Sequence, residues 1–231
     1  SDAKQQRFAS LHECFTRELR PGARPVVQDE NLLASPVDCI VGALGRVEAG
    51  SVLQAKGMPY RVAELLGSEA DAARVEGGRF ITLRLTSAMY HRFHAPADAR
   101  IEHVRYLSGD TWNVNPIALR RVERLFCRNE RAVLNLRLDR GGHRVALVPV
   151  AAILVASIRL HCLDVRLHLR WRGPNEIGCH EPFAKGQEMG WFEHGSTIVV
   201  FVPPGFTLAE GVAPGARVRM GQALLQLPAS A

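Results

Sequence analysis

The sequence has almost no lysine. Of its 29 basic residues only Lys4, Lys56 and Lys185 are lysines; the rest are arginine. Arginine is spread along the chain rather than gathered in a tail. No aromatic–basic motif of an RNA binder occurs, so nucleic acid is not an expected partner. Aromatic residues are sparse, at 6%. The five cysteines (Cys14, Cys39, Cys127, Cys162 and Cys179) are odd in number and scattered, with no C-x-x-C. That excludes a disulfide framework and a zinc knuckle, and suits a reducing, cytoplasmic compartment. The longest apolar run, "VALVPVAAILVASI" from Val145 to Ile158, contains Pro149 and is too short to span a bilayer. No secretory leader pattern opens the residues given.

What is present is enough apolar material for a core: 47% of 231 residues are hydrophobic, which excludes a disordered chain. The net charge of +6 and the pI near 9.4 favour anionic partners, such as phosphate head groups or an acidic membrane surface. Residues 5–20 carry Phe8, Leu11, Phe15 and Leu19 at spacings of three and four, which predicts a helix with one apolar stripe, ended by Pro21. Residues 79–85 and 164–171 alternate, the latter with Val165, Leu167 and Leu169 on one face. The continuous runs Val145 to Ile158 and Thr197 to Val202 predict strands buried on both faces. Short helices are expected at 60–66 and 116–126, and loops at 67–78, 172–178 and 203–205. Three segments, 45–57, 183–195 and 211–227, share a strand–glycine turn–strand form. The expected fold is therefore mainly β (α+β): a barrel-sandwich or hybrid-motif-like β core with an N-terminal helix and short peripheral helices, in one domain spanning 1–231. Such turns also occur in lipoyl and biotin carriers, but Lys56 and Lys185 lack the Met-Lys-Met context of a carrier lysine.

Three local groups carry candidate chemistry: Asp38 in "SPVDCIV", His91 and His94 in "MYHRFHAP", and Gly195–Ser196–Thr197 at the mouth of a strand. Taken singly, each has a plain structural reading. An Asp in a turn caps backbone donors, a His-x-x-His pair is a hydrogen-bonding scaffold, and Gly-Ser-Thr is a turn. The flanking text changes the weighing. "CFTRELRPGARPV", "GRVEAGSVLQAKGMPYRVAELLG", "YHRFHAPADARIEHVRYLSGDTWNVNP", "LFCRNERAVLNL" and "KGQEMGWFEHGSTIVVF" follow one another in that order. Together they resemble the phosphatidylserine decarboxylase family, pyruvoyl-dependent enzymes made as proenzymes, from about residue 8 to 227.

The resemblance implies self-cleavage at Gly195–Ser196, into a β-chain of 1–195 and an α-chain of 196–231. It implies a triad of Asp38, His94 and Ser196 for that step, with His91 beside the reacting carbon of the substrate. The cofactor implied is a covalent pyruvoyl group derived from Ser196, and no metal. Tyr90 and Arg92 become expected substrate contacts. The partners implied are an anionic aminophospholipid or a related amino-acid substrate, the inner membrane surface as a peripheral contact, and a second copy in a homodimer. The residue types suit the chemistry. A serine hydroxyl needs a base within reach, a neutral imidazole can take its proton, and a carboxylate steadies the imidazolium. Glycine at 195 keeps a Cβ away from the attacked carbonyl.

The chain departs from the family pattern in four places. Cys39 follows Asp38 where the family has glycine, and His194 replaces the leucine before Gly-Ser. Residues 151–157, "AAILVAS", replace a Gly-Ala-Thr-x-Val-Gly-Ser stretch, and "TSAM" at 86–89 replaces Ser-Pro-x-Asp. These departures leave room for a different amino-acid-containing substrate, or for a lipid-binding homologue without catalysis. A zinc hydrolase built on His91, His94 and His180 or Cys179 lacks the glutamate of H-E-x-x-H.

Overall fold

The computed structural model describes residues 2–229 apart from 56–57, 153–156, 164–165, 169–171 and 194–195; for residues 166, 168 and 196 it describes the backbone alone. A large antiparallel sheet forms the centre. Its strand order is Glu176–Gly178, Ala99–Leu107, Arg131–Leu138, Arg144–Ala151, Ser196–Val202, Arg79–Leu85, Cys39–Arg46, Arg217–Val218, and Pro182–Phe183 also pairs with Ala99–Leu107. Three small sheets surround it: Leu32–Ala34 with Ala223–Gln226 and Thr207–Leu208; Arg92–His94 with Glu188–Phe192, Ser157–Leu160 and Arg166–His168; and the hairpin Ser51–Ala55 with Met58–Arg61. The fold is mainly β with a few short helices, as the alternating and continuous apolar runs predict.

The central strands are covered on both faces, which is why they read as unbroken apolar text. Ile81, Leu83, Leu134, Leu147, Ile198 and Val200 join one core, closed over by Phe93, Ile158, Met189 and Phe192 of the small sheets. Phe80, Val133, Val148, Val199 and Phe201 point the other way, into a second core completed by Leu65, Leu66, Val75, Leu125 and Phe126. The two-residue period of a strand sends neighbours such as Ile198 and Val199 to opposite cores.

Several expectations need correction. The helix expected over 5–20 is only Leu11–Phe15. Ser10 caps it by accepting from the Glu13 amide at 3.1 Å, but none of its residues is fully buried: Phe15 alone packs on the first core, and Leu11 is 90% exposed. Five residues gain too little from helix propagation to extend further without packing. The run Val145 to Ile158 is not one strand. Arg144–Ala151 lies in the large sheet and Ser157–Leu160 in a small one, while 153–156 fall outside the described residues. Of the strand expected over 164–171 the described part is Arg166–His168, with Leu167 fully buried; Val165 and Leu169 lie outside the described residues. The expected loop 67–78 holds the helix Glu69–Val75, started by Ser68, whose hydroxyl accepts from the Asp71 amide at 3.1 Å. The expected loop 172–178 ends in the strand Glu176–Gly178. Residues 60–66 divide into the end of a strand and the helix Val62–Leu66. Residues 116–126 divide into Pro116–Leu119 and Leu125–Arg128, separated where Arg124 takes a left-handed φ of 52°.

Candidate active site

The large sheet brings the ends of three strands to one edge. Cys39–Arg46 begins there, directly after Asp38. Arg79–Leu85 ends there and leads through Thr86 to Met89 into Tyr90–His94. Ser196–Val202 begins there. In register, Ser196 lies opposite Leu85 on one side and Ala151 on the other, and Arg84 lies between Thr197 and Ile40. Asp38 and Ser196 therefore sit at the mouths of strands two apart, roughly 10 Å at the usual spacing of adjacent strands. Gly195 and His194 lie outside the described residues.

Asp38 is buried, and its carboxylate is clamped. Arg24 donates from Nε to Oδ1 at 2.8 Å and to Oδ2 at 3.1 Å, and from Nη2 to Oδ2 at 2.6 Å. The Met220 amide donates to Oδ1 at 2.9 Å. Arg24 also donates to Asp2 and to the Ala23 carbonyl, both at 2.8 Å. The Asp38 carboxylate holds the Arg24 guanidinium above its ordinary pKa. Cys39, where the family has glycine, points into the first core. Burial pushes its thiol up to about 12, so it is a neutral, inert group beside Asp38.

His94 has both ring nitrogens engaged. Nδ1 lies 2.9 Å from the Gly186 carbonyl and Nε2 lies 3.0 Å from the Tyr90 hydroxyl. A carbonyl only accepts, so Nδ1 carries the proton, and Nε2 accepts from Tyr90. Burial lowers the pKa of His94, which keeps the ring neutral at pH 7; the nearby Asp38 and Glu188 charges oppose that shift only in part. Burial also raises the Tyr90 phenol, so it remains a donor. Asp38 is thus not the group that sets the His94 tautomer; Gly186 holds that place. Arg24, Tyr90, His94, Glu188 and Met220 line one cavity of about 500 Å³.

His91 lies at the other end of the same short strand pairing. Its carbonyl accepts from the Phe192 amide at 3.0 Å, whereas His94 registers with Glu188. The ring is fully buried, Nδ1 donates to the Met89 carbonyl at 2.9 Å, and Phe15 stacks on it at 3.7 Å. Of the two histidines only His94 lines the cavity with Arg24 and Tyr90, and among the described residues no group of three or more His, Cys, Asp or Glu side chains could hold a metal ion. Arg92, expected at a substrate phosphate, donates to Glu188 at 2.8 Å and twice to the Thr16 carbonyl, at 3.0 and 2.8 Å. It ties the N-terminal segment down over the site.

Three residues of this neighbourhood were not assigned from the sequence. Arg24 stands in the quoted "GARPV" text, but nothing local says which carboxylate it will meet. Gly186 acts through its carbonyl, which leaves no side-chain signal at all. Glu193, three residues before Ser196, is the third: its buried carboxylate accepts from the Ser157 hydroxyl at 2.5 Å and from Arg159 Nε at 3.4 Å.

The profile of the family described as phosphatidylserine decarboxylase matches residues 11–226. The chain is 42% identical over 223 residues to a "Phosphatidylserine decarboxylase proenzyme" of Anaeromyxobacter sp. (strain K), covering 94% of this chain and 78% of the relative. It is 39% identical over 221 residues to the protein of the same name from Brevibacillus brevis, covering 94% and 79%. With that of Shewanella amazonensis it shares 39% over 229 residues, covering 95% and 79%.

Proposed function

We propose that this chain, which belongs to the phosphatidylserine decarboxylase family, cuts itself between Gly195 and Ser196 and then converts phosphatidylserine to phosphatidylethanolamine and carbon dioxide. The observation that carries this is the common sheet edge: Ser196 opens its strand there, beside the strand that leads to His91 and His94 and near the one that Asp38 precedes. Cutting at that point would sever no strand. Residues 196–202 stay laced between Arg79–Leu85 and Arg144–Ala151, Arg217–Val218 pairs with Ile40 and Cys39, and Ala223–Gln226 pairs with Leu32–Ala34.

In this reading the Ser196 hydroxyl attacks the Gly195 carbonyl. The Gly195–Ser196 amide bond breaks as an ester forms. His94 takes the hydroxyl proton at Nε2, its only basic atom, and returns it to the departing amide nitrogen. The Tyr90 hydroxyl keeps Nε2 oriented until then, and the Gly186 carbonyl keeps Nδ1 protonated. Asp38, fixed by Arg24, offsets the charge of the transient imidazolium across the cavity. Loss of the Ser196 α-proton then expels the Gly195 carboxylate and leaves a dehydroalanine, which takes up water and loses ammonia to become the pyruvoyl group. That group supplies an electron-withdrawing carbonyl to an amine-bearing carboxylate. His91 is the proposed proton donor to the substrate carbon; with Nδ1 held by Met89, it acts through Nε2. Among the described residues no helix is long and apolar enough to cross a membrane. Contact with the inner membrane surface belongs to the proposal because the substrate resides there, and a homodimer is part of the same reading.

Intact-protein mass spectrometry tests this directly. From the 25.4 kDa chain the expected products are fragments of roughly 21 and 4 kDa by residue share. The small one should be lighter by one ammonia than a serine-started peptide. The fragments should co-elute in native buffer and separate only in denaturant. A single uncut species after prolonged incubation, or a Ser196→Ala variant that is still cut there, would sink the reading.

A further inference from the structure

Glu130 is a buried carboxyl group without a counter-charge among the described residues. It is fully buried, its Oε1 accepts from the Tyr106 hydroxyl at 2.8 Å, and its Oε2 has no hydrogen-bond partner among the described residues. The adjacent Arg131 does not neutralise it, because that guanidinium donates to the carbonyls of Glu64, Leu65, Cys127 and Asn129. Burial raises the Glu130 carboxyl to about 7 against the opposing pull of the Tyr106 hydrogen bond, so near neutral pH much of it is the acid. Burial also raises the Tyr106 phenol, which therefore stays a donor. A glutamine would satisfy Tyr106 without burying an ionisable group. Carboxylic acids kept neutral by an apolar setting serve as proton donors in enzyme sites.

Strand register puts this acid in the row of the proposed cleavage site. Arg131 pairs with Val150, and one step further the Ala151 amide donates to the Glu130 carbonyl at 2.9 Å, so Glu130 stands opposite Ala151. Ala151 in turn pairs with Ser196, and Ser196 with Leu85. The face is the one that matters. Ala132 and Leu134 follow Glu130 at the two-residue period and belong to the first core, as do Tyr106, Ala151 and Leu85. That core is closed over by Phe93, Ile158 and Phe192 of the small sheet that carries His94. Positions 130 and 196 are thus two strands apart, roughly 10 Å. The residue between them is an alanine, so no long side chain of the row separates them. A glutamate side chain carries its carboxyl up to about 5 Å from Cα, which leaves a gap that one water bridges.

We infer that Glu130, acting through one water, is the proton donor to the carbonyl oxygen that position 196 carries after self-cleavage. This rests on the decarboxylase reading and deepens it. In that reading the substrate amine bonds to the carbon of that carbonyl, and the oxygen has to leave. The Glu130 proton passes to the oxygen, a second proton comes from the amine nitrogen, the C–O bond breaks and water departs. The new carbon–nitrogen bond leaves the nitrogen positively charged. The Glu130 carboxylate offsets that charge in an apolar setting that screens it little. The hydrogen bond from Tyr106 holds the carboxyl in place meanwhile. His94 does not fill this role, because its Nε2 is an acceptor for Tyr90 and carries no proton to give.

One measurement needs no processing. The full chain carrying Ser196→Ala should show, at about pH 6, the infrared carbonyl band of a protonated carboxylic acid, and the band should vanish when Glu130→Gln is added. No such band means an ionised Glu130 and overturns the inference. A second measurement uses the self-cleaved protein. Glu130→Gln should still be cut to the same fragment masses. Glycerophosphoethanolamine, an amine with no carboxylate to lose, is then offered with cyanoborohydride, and its capture on the small fragment is followed by mass. Capture should slow by about a hundredfold in Glu130→Gln. Glu130→Asp keeps the acid and should fall between; it carries the test should the glutamine variant not fold. Capture at the wild-type rate overturns the inference while leaving the decarboxylase reading intact. A folded Glu130→Gln chain that is not cut also overturns it, because the residue would then serve the cutting step. A wild-type chain that is never cut removes the decarboxylase reading instead, on a different readout.

Discussion

The Arg24 guanidinium closes on the Asp38 carboxylate through three contacts of 2.6, 2.8 and 3.1 Å, with side-chain exposures of only 9% and 12%. Asp38, the residue expected to support His94 directly, is instead held from the N-terminal segment that overlies the site. The same segment lays Phe15 on His91 and the Thr16 carbonyl on Arg92. The N-terminal residues are thus part of the site's wall.

Breaking the clamp should be costly. Arg24→Ala leaves Asp38 with the Met220 amide alone, and removing one partner of a buried pair costs about 3–5 kcal/mol. Denaturant unfolding at pH 7 should show a loss of that order. Asp38→Ala should then cost far less in the Arg24→Ala background than in the wild type. Equal costs in both backgrounds would show that the pair is not coupled.

Self-cleavage should hold its rate below neutral pH. The base must be unprotonated, and burial sets the His94 pKa below its ordinary 6.5. The rate, followed by conversion of the full-length band between pH 5 and 8, should therefore fall on acidification with a midpoint below the ordinary 6.5. The sign for stability agrees. The unfolded ring protonates at a higher pH than the folded one, so His94 favours the folded state above its unfolded pKa and loses that contribution as the pH falls. A midpoint at or above about 6.5, or unimpaired cleavage in His94→Ala, contradicts His94 as the base.

Glu130 titrates in the opposite sense. It is fully buried, Oε1 accepts from the Tyr106 hydroxyl at 2.8 Å, and Oε2 has no partner among the described residues. Burial pushes its carboxyl from 4.5 up to about 7. The folded state holds the proton more tightly than the unfolded chain, so stability falls as the pH rises from about 4.5 towards 7, by up to about 3 kcal/mol. Glu130→Gln removes the titration and keeps an acceptor for Tyr106. Its melting temperature relative to wild type should rise from about pH 5 to about 7 and level off above that; a constant difference across the range would refute the shift.

Much of the central sheet was legible in the residues because its signals are local. Arg79–Leu85 and Ser196–Val202 stand where alternation and an unbroken apolar run put them. The failures have local causes too. Leu11 and Phe15 satisfy a helical period, yet the helix stops at Phe15, because a stripe specifies length only where a surface receives it. The segment 67–78 reads as a loop through its glycines, yet the Ser68 cap starts a helix whose Val75 completes the second core. Asp38 was legible as a candidate through its sequence context, but its partner was not. Arg24 is 14 residues away and has many carboxylates to choose from.

The sequence by itself determined the strands, the charge and the residue types from which such a site can be made, because these depend on side chains acting over a few neighbouring positions. Only the tertiary structure decided which atoms meet. The Gly186 carbonyl, 92 residues from His94, selects that ring's tautomer, and strand register puts Arg84 opposite Thr197. Neither relation exists until distant segments pack, since a backbone carbonyl has no residue signature and a register is a property of two strands together.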